Sequence, residues 1–191
     1  MFTLCCMGGL LAVHLMGLRE EKLLESKAGA SDSARRQINQ LRNDIYAAKG
    51  WQIGSWNGTA FSSIVNGNNM QGNALMIYPL VMLSNQVVNS ANYILYYFDT
   101  NQVANFDGHL CYLSSTNATS QILVSNLINP LFFTCEQYDG TMKTVSSYKS
   151  VIHATFQYSQ FQFPLTKVGS NCIFNSYRID LRATPHLPDG P

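Results

Sequence analysis

The chain has 191 residues, of which 46% are hydrophobic and 12% charged, with a formal net charge of +1. This composition argues against an intrinsically disordered chain, which combines low hydrophobicity with high charge. It also argues against a nucleic-acid partner, because only five Lys and Arg residues lie within 50–191. We therefore expect a folded domain that does not bind DNA or RNA.

Charge is distributed unevenly and divides the chain into three zones. Residues 1–18 contain no Asp, Glu, Lys or Arg, whereas 19–49 hold 12 of the 23 charged residues, and 50–98 again hold none. We interpret 1–18 as a transmembrane or assembly helix and 19–49 as its amphipathic continuation. The remainder, 50–191, is then a β-rich globular head.

The first zone predicts a single membrane-spanning helix. At about 1.5 Å per residue it would span about 27 Å, close to a hydrocarbon thickness of about 30 Å. A secretory signal peptide is the main alternative, but no basic residues precede the apolar run and no A-x-A site ends it. A buried helix of a soluble domain is the second alternative.

The second zone predicts that this helix continues. No proline interrupts 19–48, and Ile38, Leu41 and Ile45 recur at the spacing of one buried helix face. Lys49 and Gly50 then supply a cation in the last turn and a glycine after it, which predicts that the helix ends there.

The third zone predicts β-structure. Aromatic and β-branched runs predict strands at 75–78, 93–98, 109–113 and 131–137. Alternation predicts two longer strands, at 151–163 with a bulge near 159–160, and at 176–184. The segment 121–127 could be a strand or a short helix, and the glycine-rich segment 51–73 predicts a loop.

Together these elements predict an α+β fold. The apolar upper half of one long N-terminal helix would span the membrane, and its lower half would pack Ile38, Leu41 and Ile45 on an antiparallel β-sheet. An apolar segment that projects from a soluble head is unstable in water, so it needs lipid or copies of itself as cover.

Several stretches resemble the bacterial type IV pilin and type II secretion pseudopilin superfamily, whose members carry a prepilin-type N-terminal cleavage and methylation signal. The stretches include FTL at 2–4, GLR at 17–19, WQIG at 51–54, GNAL at 72–75, YYFD at 96–99 and YRID at 177–180. The resemblance covers most of the chain. It implies a pilin-like fold and a structural major or minor subunit, with no enzymatic activity.

The resemblance also implies location and partners. The chain would be a single-pass protein of the inner membrane, with its globular domain on the periplasmic side, and would assemble into a type II secretion pseudopilus or a type IV pilus. Its partners would be other pilin-like subunits, inner-membrane lipid and, if a leader precedes Phe2, a prepilin peptidase. A membrane-tethered module that binds an exported partner is the alternative function.

Roles in assembly or processing fall on the N-terminal segment. The residues are Phe2, Leu4, Cys6, Leu10, Leu11, Val13 and Arg19. Counting from Phe2, Cys6 replaces the glutamate that the family places fifth, a carboxylate implicated in registering each subunit with the neighbouring N-terminus. Packing of the apolar segments away from lipid would supply the force for assembly.

Residues with catalytic or metal-binding chemistry are scattered. The four histidines, His14, His109, His153 and His186, lie far apart, and no metalloprotease, P-loop or nucleophile-elbow motif is present. We therefore expect no catalytic site and no cofactor. The resemblance raises a loop calcium site, but the residues that could supply oxygens lack the dense spacing of such loops; they are Asp99, Asn101, Asp107, Asp180 and Asp189.

The three cysteines of the head are Cys111, Cys135 and Cys172. An oxidising compartment would permit one disulfide and leave one thiol, and three reduced, buried cysteines are equally compatible with the sequence.

Overall fold

The computed structural model describes residues 13–18, 20–21, 32, 34–64, 70–79, 92–99, 108–130, 132–143, 150–161, 167–168, 171–172 and 174–185. Strands form most of it. Ten of them belong to one antiparallel sheet: β1 (Ala48–Trp56), β2 (Phe61–Ser63), β3 (Gln71–Gly72), β4 (Ala74–Pro79), β5 (Ile94–Asp99), β6 (Gly108–Ser114), β7 (Asn117–Leu127), β8 (Phe133–Glu136), β9 (Val151–Phe161) and β12 (Phe174–Ala183). The strands β10 (Lys167–Val168) and β11 (Asn171–Cys172) pair separately.

The described helical residues form short stretches, principally α1 (13–18) and α2 (34–46). The predicted α+β fold built on one long N-terminal helix is therefore wrong, because the described chain is mostly antiparallel sheet without a long apolar helix. Short helices are marginal in water unless tertiary packing fixes them, and α2 gains such packing whereas α1 is exposed. No helix of the described part combines the length and the apolar character that a membrane crossing requires.

The predicted helix end and the predicted loop after it are also wrong. The helix α2 ends at residue 46, and Ala48 already pairs with Pro79 as the first residue of β1. The register between β1 and β4 shifts between Ala48 and Gly50, which leaves Lys49 exposed. A nine-residue strand with a fully buried Ile53 outweighs the local signal for a helix cap.

The later strands lie largely where their patterns placed them. Segments 75–78, 93–98 and 109–113 coincide with β4, β5 and β6, and 121–127 is strand rather than helix because it lies within β7. The bulge expected near 159–160 is absent. The strands β9 and β12 pair without interruption from Phe161 opposite Phe174 to Ile152 opposite Ala183, so the ladder has no extra residue.

The sheet curls back towards its own first strand. Its order is β2-β1-β4-β5-β6-β7-β9-β8-β3, and β3 continues directly into β4 through Asn73. At Asn73 the chain therefore bends from β3, which pairs with β8, into β4, which pairs with β1.

Asn73 fixes this bend with side-chain and backbone hydrogen bonds. Its Oδ1 accepts from the amide of Trp56 at 2.7 Å, and its Nδ2 donates to the Trp56 carbonyl at 3.0 Å. The Asn73 carbonyl accepts from the amide of Phe98 at 3.0 Å. The bend brings Gly72 against Gly54 so closely that a Cβ on Gly72 would overlap the Gly54 carbonyl oxygen.

The main core fills the inner face of the curled sheet, and α2 covers it. The buried stripe of α2 consists of Ala34, Ile38, Leu41 and Ile45. It belongs to the same cluster as Tyr96, Leu110, Phe132, Phe133 and Phe156 of the sheet and its connections. The ring centroids of Phe132 and Phe156 are 5.4 Å apart, a separation typical of attractive aromatic pairs.

A second cluster lies on the opposite face of β4, β5 and β6. Its buried members are Ala74, Leu95, Tyr97 and Cys111, and Trp56 packs on Tyr97 with ring centroids 4.6 Å apart. Side chains therefore alternate along these strands between two apolar environments, which explains their nearly continuous apolar sequence.

We expect Gly72→Ala to lower the free energy of unfolding by at least about 2 kcal/mol, because its Cβ would force two backbones apart. Gly50→Ala is the matched control. Its Cβ would meet only Tyr78 Cδ2 at 3.7 Å, an ordinary contact, so we expect a change within about 1 kcal/mol. Chemical denaturation measures both, and equal effects would contradict the close approach of β3 and β1.

Candidate functional site

The residues predicted to act in assembly lie mostly outside the described part of the chain. This applies to Phe2, Leu4, Cys6, Leu10, Leu11 and Arg19, whereas Val13 is helical and 72% exposed. Leu15, Met16 and Leu18 of the same helix are also exposed, by 50%, 70% and 43%. We call these four side chains the apolar segment. They lie on all sides of α1, and exposed apolar surface of this kind is typical of interaction sites.

The residues predicted to join helix and sheet, Ile38, Leu41 and Ile45, are buried in the main core. A polar contact accompanies them, because the hydroxyl of Tyr96 on β5 donates to Asp44 Oδ2 of α2 at 2.5 Å. Burial raises the pKa of Asp44, although the Tyr96 hydrogen bond lowers it in part. Burial and the neighbouring Asp44 charge raise the pKa of Tyr96, which stays a protonated donor.

Charged side chains of β8, β9 and β12 form a second feature, on the sheet face opposite the main core. In the order of their contacts they are Arg178, Asp180, His153, Glu136 and Arg182, and we call them the charge row. His153 is the central member of the row. Its neighbours on β9, Ile152 and Ala154, point into the core, so His153 faces the opposite side of the sheet.

His153 contacts a carboxylate on each neighbouring strand. Its Nδ1 lies 2.5 Å from Glu136 Oε1 on β8, and its Nε2 lies 3.4 Å from Asp180 Oδ1 on β12. The side chain of Glu136 is only 8% exposed, and that of His153 15%. A buried carboxylate requires such a partner.

Arginines close both ends of the row. Arg178 donates to both oxygens of Asp180, from Nε to Oδ2 at 2.9 Å and from Nη2 to Oδ1 at 3.1 Å. Arg182 Nη2 lies 3.4 Å from Glu136 Oε2, an ion pair without hydrogen-bond geometry. The pKa of Asp180 is lowered, chiefly by the Arg178 hydrogen bonds and further by those from Thr155 and His153.

The charge row resembles a catalytic arrangement only in part. Thr155 Oγ1 lies 3.2 Å from His153 Nε2, as a nucleophile lies beside its base, but it donates its proton to Asp180 Oδ1 at 2.9 Å. The hydroxyl is therefore held by a carboxylate rather than activated by the imidazole. In the described part of the chain, no three His, Cys, Asp or Glu side chains are placed to hold a metal ion.

Sequence reasoning missed the charge row because its members come from three strands. His153 lies 17 residues after Glu136 and 27 before Asp180. Alternation did place Arg178, Asp180 and Arg182 on the outer face of their strand, and these side chains are exposed. The missing information was the register, which sets Arg182 opposite His153 and Glu136 opposite Val151.

The other residues considered for ligands are only partly described. Asn101, Asp107 and Asp189 lie outside the described residues, and Asp180 is held in the charge row.

Cys111 and Cys135 are free and belong to the clusters on opposite faces of the sheet, so they do not form a disulfide with each other. The side chain of Cys172 lies outside the described residues.

The turn after β8 forms an open pocket on the surface. Gln137, Tyr138, Asp139 and Lys143 line it, and Tyr138 is 75% exposed. Asp139 shapes the turn by accepting hydrogen bonds from the amide and hydroxyl of Thr141, at 2.9 and 2.7 Å. An exposed aromatic ring beside charged and amide groups is a common element of binding surfaces.

Comparison of the chain with protein-family models, with curated proteins and with solved structures finds no match. The resemblance to the pilin superfamily therefore rests on the sequence stretches given above. Inferences about function therefore depend on the arrangement of the side chains.

We expect Asp44→Asn to change the pH dependence of stability. Because the folded-state pKa of Asp44 is raised, its contribution is fully present below the ordinary aspartate pKa of about 3.9 and is lost as pH rises through the folded pKa. Asparagine still accepts from Tyr96 but does not ionise, so the stability of the variant relative to the natural chain should increase between pH 3 and pH 7.

Asp139→Asn is the control, because its stability relative to the natural chain should depend on pH in the opposite direction. Hydrogen bonds from Thr141 lower the pKa of Asp139, so its contribution is present above the ordinary aspartate pKa and is lost as pH falls through the folded pKa. Chemical denaturation across this pH range measures both variants. A relative stability of Asp44→Asn that does not change with pH would contradict the assignment.

Proposed function

We propose that this protein is a structural subunit, a pilin-like or minor pseudopilin protein, which assembles through its N-terminal apolar segment. The observation that carries the proposal is the exposure of Val13, Leu15, Met16 and Leu18. Fully burying one side chain of this size contributes roughly 1.5–3 kcal/mol, so covering all four offsets much of the entropic cost of association.

The head does not need the apolar segment for its own core. The stripe of α2 already covers the inner face of the sheet, and Leu41 and Ile45 have no exposed surface. The apolar segment is thus available to a partner, and copies of the same segment match it chemically. In this proposal, inner-membrane lipid covers the segment before assembly, and the head lies on the periplasmic side.

The stretches at 2–4, 51–54 and 177–180 that resemble pilin-like proteins favour a type II secretion pseudopilus or a type IV pilus as the assembly. The charge row supports a structural rather than a catalytic role for the head. Each of its carboxylates is paired, and the hydroxyl of Thr155 is held by Asp180.

We expect the full chain to associate or to require detergent. A variant that combines Val13→Ser, Leu15→Ser, Met16→Ser and Leu18→Ser should weaken association at least tenfold, because it removes the apolar surface. The matched control combines Ile122→Ser and Ile128→Ser. These side chains are exposed on the head by 52% and 44%, and their replacement should leave association unchanged.

Sedimentation velocity with and without detergent measures the association. A full chain that is monomeric in buffer without detergent would overturn the proposal. Equal effects of the two sets of serine substitutions would show that general surface apolarity, rather than the apolar segment, drives association.

A second candidate function is a membrane-tethered module that binds an exported partner. The exposed Tyr138 and the open pocket beside it favour this function. In this case the head would use Tyr138 as an aromatic anchor, a residue type that is enriched at binding hot spots.

If the head is a binding module, Tyr138→Ala should abolish capture of an exported protein by the immobilised full chain while association of the chain with itself stays unchanged. Met142→Ala, at a neighbouring residue that is 47% exposed, is the control. Affinity capture followed by mass spectrometry distinguishes the cases. Recovery of pilin-like subunits alone, insensitive to Tyr138→Ala, would favour the structural subunit.

A further inference from the structure

The strand β12 depends on few elements for its place in the sheet. All ten of its residues pair with β9, and β9 is its one partner among the described strands of the sheet. On its other edge, β9 pairs with β8 through four residues, from Phe133 opposite Ala154 to Glu136 opposite Val151. A side chain of β9 that contacts both neighbouring strands therefore couples β12 to the rest of the sheet.

His153 is such a side chain. It is bound to Glu136 of β8 on one ring nitrogen and lies beside Asp180 of β12 on the other. We propose that His153 is a proton-operated clamp, which holds β12 more firmly on the sheet when the imidazole is protonated than when it is neutral.

The chemistry of imidazole supports this asymmetry. A neutral ring carries one N–H and can donate to only one of the two carboxylates, whereas the imidazolium carries two and donates to both. In the imidazolium both contacts are charge-assisted hydrogen bonds, including the one from His153 Nε2 to Asp180 Oδ1, which is 3.4 Å long in this structure. Histidine is the side chain whose charge changes between about pH 5 and 8.

Charged groups on both neighbouring strands face His153. The groups that face His153 are Glu136 on β8 and Arg178, Asp180 and Arg182 on β12. Both carboxylates contact the ring directly. Arg178 pairs with Asp180, and Arg182, which stands opposite His153 in the register, lies 3.4 Å from Glu136 Oε2. The side chain of Arg182 is 61% exposed, so water screens its repulsion of the imidazolium.

Protonation would thus complete a row of five alternating charges, from Arg178 through Asp180, His153 and Glu136 to Arg182. Lys143, in the turn after β8, donates to Ser150 Oγ at 3.0 Å, just before the start of β9. The clamp makes the attachment of the last described strand responsive to pH, independently of how the N-terminal apolar segment associates.

Hydrogen exchange of the full chain, measured by mass spectrometry and corrected for intrinsic rates, tests the clamp. We expect amides of β12 to be about threefold to tenfold better protected at pH 5.5 than at pH 8, a ratio in the range of one charge-assisted hydrogen bond. Amides of the β4–β5 ladder, whose strands do not pair with β8, β9 or β12, should change less.

His153→Gln should remove the pH-dependent difference in β12, and His14→Gln, at an exposed histidine of α1, should retain it. The clamp would be overturned if the ratio of β12 protection at pH 5.5 to that at pH 8 were the same in His153→Gln and in the natural chain. It would also be overturned if the natural chain showed equal protection at the two pH values.

Asp180→Asn keeps the test decisive if His153→Gln fails to fold. It leaves the histidine and Glu136 in place but removes the carboxylate of β12, so we expect it to reduce the pH-dependent protection to less than half. Asp139→Asn, an exposed aspartate in the nearby turn, is its control and should leave the ratio unchanged. A full ratio in Asp180→Asn would contradict the clamp. Sedimentation of the same samples reports on the proposed assembly separately.

Discussion

The structure depends on the close backbone contact between β3 and β1. Gly72 and Gly54 meet there without side chains between them, and Asn73 holds the bend that brings them together. This contact returns the end of the sheet to its beginning and gives the sheet an inner face. The inner face must be covered, and the stripe of α2 from Ala34 to Ile45 covers it.

Several charged side chains in the described part of the head are paired with one another. Two of its five basic residues, Arg178 and Arg182, close the ends of the charge row, and the buried Glu136 is paired with His153 through Oε1. Asp44 follows the same rule at the junction of α2 and the sheet, where Tyr96 donates to it. A carboxylate without such a partner would make burial of these surfaces unfavourable.

Patterns in the sequence predicted those parts that need only local information. Alternation at 176–184 identified which side chains of β12 face outward, and helical spacing identified Ile38, Leu41 and Ile45, which are buried. Local signals failed where two distant segments compete for the same residues. Lys49 and Gly50 look like the end of a helix, but pairing of β1 with β4 across about 30 residues turns them into strand. The same limitation hid the contacts among Glu136, His153 and Asp180, whose neighbourhood exists only after β8, β9 and β12 are in register.

The amino-acid sequence by itself determined where apolar and charged surfaces occur along the chain: an uncharged N-terminus, a helical stripe at 38–45 and strands with alternating faces. These follow from side-chain chemistry and from the fixed periods of helix and strand. Only the tertiary structure decided that the predicted loop at 51–56 is a buried strand, that the sheet curls, and that one histidine stands between two carboxylates. The reason is that strand pairing joins residues far apart in sequence, and its register carries no signal in any single segment.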